Sequence, residues 1–267
     1  MRRIGTLTIG LALLVAAAGR VYPSSHSHGA SEQFQKTCTL GSRGTVSLQN
    51  LNGNLSIKAW DKNEVMIKAV KYADNQEELV SLEIEVDATG DRVAIDTKYP
   101  DESDGGHGHG AGVDYSLTIP RDAKIEKVKI VNGEIEISGV SGKVEASDVN
   151  GTIHADGLRD GCDLGTVNGN VDATFDGLSA AGDVRLKSVN GGLTLRLPDN
   201  AGADVDARVT TGRISNEFGL ESSRERNRHS FVKVGDAIRG KIGNGGVLVR
   251  LETVNGSIRL LKSGSSR

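Results

Sequence analysis

The tripeptide Val-Asn-Gly occurs at Val131-Asn132-Gly133, Val149-Asn150-Gly151, Val167-Asn168-Gly169, Val189-Asn190-Gly191 and Val254-Asn255-Gly256. The first four asparagines stand 18, 18 and 22 residues apart, and Thr211-Gly212 falls where a further turn is due. Such a period confines a chain to stacking copies of one small unit, because each unit must offer its neighbours the same surface.

Each unit holds short alternating segments. Ile135 and Ile137 alternate with Glu134, Glu136 and Ser138, and the pattern returns at Val144/Ala146, Ile153/Ala155, Val171/Ala173/Phe175, Leu193/Leu195/Leu197 and Val247/Val249/Leu251. One such strand cannot bury its apolar face alone. Coils stacked at about 4.8 Å bury a continuous aliphatic column. With 3% aromatic residues and 35 glycines, the core is expected to be Val, Ile, Leu and Ala throughout, with no polar residue repeating at an inward position. The expected fold is all-β. Residues 121–262 form a β-solenoid (a flattened β-helix or roll) of about 18–22-residue coils. A β-rich N-terminal part with one short helix precedes it over 41–120, and a tail follows at 263–267. Ile135, Ile153 and Val171 are placed in one buried column, with Glu136, His154 and Asp172 outside. The Asn-Gly pairs are expected to supply positive φ at the corners. An antiparallel sandwich explains the strands but not the constant spacing.

In the N-terminal part, Asn52-Gly53 separates Val46, Leu48 and Leu51 from Leu55, Ile57 and Ala59, a hairpin signal. Val65, Ile67 and Ala69 suggest a third strand. Asp74 or Asn75 can cap a short helix reaching Val80. Strands are expected at Leu82–Val86 and Val93–Ile95 about a turn at Thr89-Gly90-Asp91, and at Tyr115–Ile119. Residues 101–112 and the polar run from Gly219 to Ser230 read as loops.

Arg2 and Arg3, the apolar run Leu7–Ala18 and Ala16-Ala17-Ala18 read as a signal peptide over 1–18, with an uncleaved anchor as the alternative. Residues 19–40 are expected to be a flexible linker. No Cys follows the apolar run to take a lipid, and no later segment is apolar enough to span a bilayer. The chain is therefore expected to be exported, to the periplasm, the cell surface or the medium. A net charge of −3 without a basic block argues against nucleic acid. Cys38 and Cys162 leave two readings open, a disulfide in an oxidising compartment or two buried thiols.

The stretch Leu51-Asn52-Gly53-Asn54-Leu55-Ser56-Ile57 followed by Trp60-Asp61, the stretch Tyr115-Ser116-Leu117-Thr118-Ile119-Pro120, and the repeats together resemble the "putative adhesin" family of bacterial envelope proteins, a domain of unknown function. The resemblance covers about Val46 to Leu261. It implies a β-solenoid outside the cytoplasm and an adhesin-like role, and it supplies no functional residue.

Three constellations bear on chemistry. His26/His28 and His107/His109 lie in Gly- and Ser-rich stretches that fix no geometry, whereas a specific metal site needs three or four placed ligands. Glu136, His154 and Asp172 are 18 apart and should stack outward as an ion-pair ladder, a cation site or an acid–base group. A calcium roll is excluded, because its repeated G-G-x-G-x-D is missing. No nucleophile elbow, zincin, P-loop or dinucleotide motif occurs, and Trp60 is assigned to core packing. The expectation is a non-enzymatic scaffold without cofactor or metal, of which His107, His109, Glu136, His154 and Asp172 are the nearest to metal ligands. Asn52, Gly53, Asn132, Gly133, Asn150, Gly151, Asn168, Gly169, Asn190, Gly191, Asn255 and Gly256 are structural turn residues. Partners are expected to be an envelope or surface protein or polysaccharide, with edge-to-edge self-association open to it. The alternatives are a carbohydrate-active enzyme on a β-helix and an envelope sensor of a metal or small ligand.

Overall fold

The computed structural model describes residues 29–99, 110–178, 182–221 and 235–264. The signal stretch, His26, His28, His107, His109 and most of the 219–230 run lie outside the described residues. In chain order the elements are β1 (Ala30–Thr39), β2 (Thr45–Gln49), β3 (Leu55–Trp60), β4 (Glu64–Ala73), α1 (Gln76–Ser81), β5 (Glu83–Thr89), β6 (Arg92–Lys98), β7 (Gly112–Pro120), β8 (Lys124–Lys129) and β9 (Ile135–Ser138). They continue as β10 (Val144–Ser147), β11 (Ile153–Leu158), β12 (Cys162–Asn168), β13 (Val171–Phe175), β14 (Val184–Asn190), β15 (Leu193–Leu197), β16 (Ala203–Asn216), β17 (Asp236–Ile242) and β18 (Val247–Lys262).

The strands form two stacks. In the second, Ile135, Ile153, Val171 and Leu193 lie in parallel register, and all four are fully buried. In the first, Val144, Cys162 and Val184 do the same. Both columns enter one aliphatic core, as the period-2 alternation requires. The expected β-solenoid is the observed architecture.

Its coil order is not the chain order. β2 lies between β6 and β8, and β3 between β7 and β9. The coil of residues 45–60 is thus inserted between one made later and the next. At the other end β18 lies between β14/β15 and β16, running through both stacks. Antiparallel strands close the ends. β5 covers β6, β4 and then β1 cover β7, and β17 covers the first half of β16.

Several expectations are corrected. Asn52-Gly53 makes no hairpin: β2 and β3 lie in different stacks, so the pair turns a solenoid corner. The linker expected over 19–40 contains β1, which pairs along its length with β4. No break in the strand pairing separates 41–120 from 121–262. Cys38 and Cys162 are both free and buried. Cys38 sits in the end strand of the second stack and Cys162 in the middle of the first, too far apart for a bridge. Trp60 is half-buried; its Nε1 donates to Glu64 O at 2.8 Å and Lys62 Nζ stands 4.8 Å from the ring centre. The helix is as expected, with Asn75 Oδ1 accepting from Glu78 N at 2.9 Å.

Candidate functional site

Parallel stacking brings identical side chains to the same height on successive coils, most visibly at the corner. Asn132 Nδ2 donates to Asn52 Oδ1, Asn150 to Asn132, Asn168 to Asn150, Asn190 to Asn168 and Asn255 to Asn190, all at 2.8–2.9 Å. At the first end Asn52 Nδ2 donates to Ala111 O at 3.0 Å. This is an amide ladder over six coils. Beside it Leu51, Val149, Val167, Val189 and Val254 stand about two-fifths exposed.

The glycines serve the corner differently from the expectation. Of the corner set, Gly53 and Gly212 have positive φ, at 121° and 148°, while Gly133, Gly151, Gly169, Gly191 and Gly256 do not. What those five need is space, since a β-carbon on any of them would stand 1.6 to 2.1 Å from the carbonyl oxygen of the glycine one coil away.

Just inside the corner is a polar column, contrary to the expected all-aliphatic interior. Thr166, Ser188 and Thr253 hydroxyls donate to the carbonyls of Gly151, Gly169 and Gly191 at 2.9–3.0 Å, and Asn50 Nδ2 donates to Val113 O at 2.8 Å. Asp148 occupies the same position and is 4% exposed. Its Oδ1 accepts from Val149 N and Asn150 N, while Oδ2 is buried without a hydrogen bond. Oδ2 and Gly133 O both lie within 2.4 Å of the point a Gly151 β-carbon would occupy. Burial pushes the Asp148 carboxyl up to about 6, against the two backbone donors. Burial likewise pushes the Cys162 thiol up to about 12. These groups are structural, held inside the wall.

The outward residues of the second stack carry the candidate site. Glu136, His154 and Asp172 are in register across β9, β11 and β13. His154 Nδ1 is 3.3 Å from Asp172 Oδ2, whereas Nε2 is 3.5 Å from Glu134 Oε1 rather than reaching Glu136. The column continues to Thr194 and Arg259. His154, Asp156, Asn170, Asp172, Thr194, Arg196 and Arg259 line a cleft of about 330 Å³. Thr194 points outward yet is 7% exposed, which makes it the floor. Sequence reasoning missed Glu134, Thr194, Arg196 and Arg259. Thr194 was within reach of the 22-residue step beyond Asp172; Arg259 was not, because the coil that carries it is inserted from the end of the chain. Among the described residues no group of three or more His, Cys, Asp and Glu is placed to hold a metal ion, and no helix is long and apolar enough to cross a membrane.

A family model described as Toastrack DUF4097 matches residues 37–261. A solved structure described as a "putative cell adhesion protein" from Clostridium sporogenes is 15% identical, with 87% of this chain and 100% of that chain covered, at a TM-score of 0.52. Two described as "putative adhesin" are also similar. That from Bacteroides fragilis is 12% identical over 86% of this chain and 97% of its own, at a TM-score of 0.28. That from Parabacteroides distasonis is 9% identical over 88% and 99%, at 0.24. At 15% identity the first shares the fold. No curated protein matches.

Proposed function

From the premise that the chain belongs to the Toastrack DUF4097 family, we propose that it is an exported, non-catalytic recognition scaffold, adhesin-like in role, that binds envelope or surface partners through its solenoid wall. The observation that carries this reading is the outer surface itself, in which charged side chains recur in register from coil to coil. Arg185 pairs with Asp163 at 2.9 Å and Lys187 with Glu252 at 3.5 Å on the first stack, while on the second His154 stands 3.5 Å from Glu134 and 3.3 Å from Asp172. A regular, shallow array suits recognition of an extended partner, whereas catalysis needs groups gathered in a water-limited pocket. The description of the Clostridium sporogenes structure as a "putative cell adhesion protein" agrees with such a role, and the charged start and apolar run of residues 1–18 support export.

The experiment is retention of the purified mature protein on isolated bacterial envelopes, together with a turnover screen on polysaccharides, esters and peptides. Saturable retention competed by unlabelled protein, without turnover, is expected. Robust turnover abolished by His154→Ala or Glu136→Ala would overturn the reading and make the outward column an active site.

A further inference from the structure

The cleft on the second stack divides into two chemically different halves. On one side Asp172 Oδ2 stands 3.3 Å from His154 Nδ1, and Asn170 Oδ1 accepts from Gly192 N at 2.8 Å, which leaves the Asn170 amide donors for a guest. On the other side stand Arg196 and Arg259. Thr194 is in register with Arg259, and Arg196 follows Thr194 by two residues on the same face. The two residues are therefore diagonal neighbours, about 7–8 Å apart at the backbone and within reach of long side chains.

Neither guanidinium makes an ion pair or hydrogen bond among the described residues. Arg121, Arg185, Arg208 and Arg239 by contrast each hold a carboxylate, at 2.9 to 3.4 Å. Arg196 is half-buried in the cleft wall and Arg259 is exposed at its side, so two guanidinium groups without a carboxylate partner face one cleft. A bound oxyanion would supply the missing partner, and planar guanidinium groups match carboxylate and phosphate in bidentate fashion. The cleft volume of about 330 Å³ is at the small end for ligand sites and suits a single ring. The lining is polar, with Thr194 as the floor and no aromatic platform, so recognition there is by charge and hydrogen bond.

We propose that this cleft binds an acidic sugar residue. Arg196 and Arg259 take its carboxylate or phosphate, and Asp172, Asn170 and His154 take its hydroxyls. The inference rests on the reading of the chain as an envelope recognition protein and names the chemistry of one subsite.

Isothermal titration of the mature protein tests it with three probes: an oligogalacturonide for the carboxylate, glucose 6-phosphate for the phosphate, and maltotriose as the neutral control. One acidic probe should bind and maltotriose should not, and the acidic probe that binds identifies the source of the anion. Arg196→Gln and Arg259→Gln should each weaken binding at least tenfold, Arg259→Lys less than Arg259→Gln, and raised salt should weaken it further. Both residues lie on the outer face, so unchanged circular dichroism checks that the variants fold. Absence of binding by both acidic probes, or equal binding by the double glutamine variant, would overturn the proposal. Envelope retention that survives in the double variant would sink the subsite and leave the proposed function standing. Arginine-dependent binding of an acidic probe without envelope retention would do the reverse.

Discussion

At Gly151 a β-carbon would stand 1.6 Å from Gly133 O and 2.4 Å from Asp148 Oδ2, whereas at Gly177 it would meet nothing within 4 Å. Gly151→Ala forces two coils apart at the corner and is expected to cost several kcal/mol, a large core-type loss. Gly177→Ala should stay within about 0.5 kcal/mol of the parent. Urea denaturation of the pair separates crowding from the helix- or strand-forming preference of alanine. Asp148 gives the second residue-scale prediction. Its folded-state pKa, about 6, lies above the ordinary value of 3.8, so the native state holds the proton more tightly than the unfolded chain. That contribution is full below about pH 4 and is lost as the pH rises through 6. Asp148→Asn keeps the acceptor for Val149 N and Asn150 N and offers Gly133 O a donor, as Thr166 offers Gly151 O. It should raise stability at pH 7.5 by up to about 3 kcal/mol, with the difference vanishing near pH 4. Equal destabilisation at both pH values would refute the account of a carboxyl whose pKa is raised by burial. Neither property was legible in the sequence. Asn-Gly signals positive φ as readily as close stacking. Asp148, Thr166, Ser188 and Thr253 each directly precede a Val-Asn-Gly and so share one repeat position, but polar residues there gave no sign that the position faces inward.

Strands and their columns were the most legible level. The 18-residue step placed Ile135, Ile153 and Val171 on one buried line and Glu136, His154 and Asp172 on one outward line, because a parallel in-register stack preserves sequence period as spatial period. Ile153→Asp puts an unpaired charge into that line and should abolish the cooperative unfolding transition seen by circular dichroism. The asparagine ladder was only half legible. Asn132, Asn150, Asn168 and Asn190 follow the period, but Asn52 and Asn255 join from 80 and 65 residues away. Asn150→Ala leaves Asn168 Nδ2 and Asn132 Oδ1 to water at an exposed corner, so its cost should be modest, about 1 kcal/mol. A double-mutant cycle of Asn150→Ala with Asn168→Ala should show coupling of at least about 0.5 kcal/mol. Additive losses would mean that the amides do not act as a chain.

Across the whole molecule, the two end coils are the part the repeat could not reveal, since sequence period says nothing about a coil inserted out of turn. In an ordinary solenoid a terminal repeat can be removed at the cost of its own interface. Here β18 joins β14 and β15 to β16, so ending the chain at residue 246 removes a middle layer. The truncated protein is expected to lose cooperative thermal unfolding altogether, and a well-folded truncation with only a lowered Tm would contradict this. Insertion also delays folding: residues 45–60 complete their contacts only when 112–138 have been made, and such long-range pairing is slow. The same arrangement sets how the molecule answers tension. A pull on the C-terminal end draws on a 16-residue strand gripped along both flanks in both stacks, so the bonds must slide together. A pull on the N-terminal end meets β1, whose strand ladder among the described residues is with β4 on one flank and can open one bond at a time. Single-molecule stretching should therefore record a weak first rupture from the N-terminal edge and a much stronger one from the body, a fold that yields at one end and holds at the other.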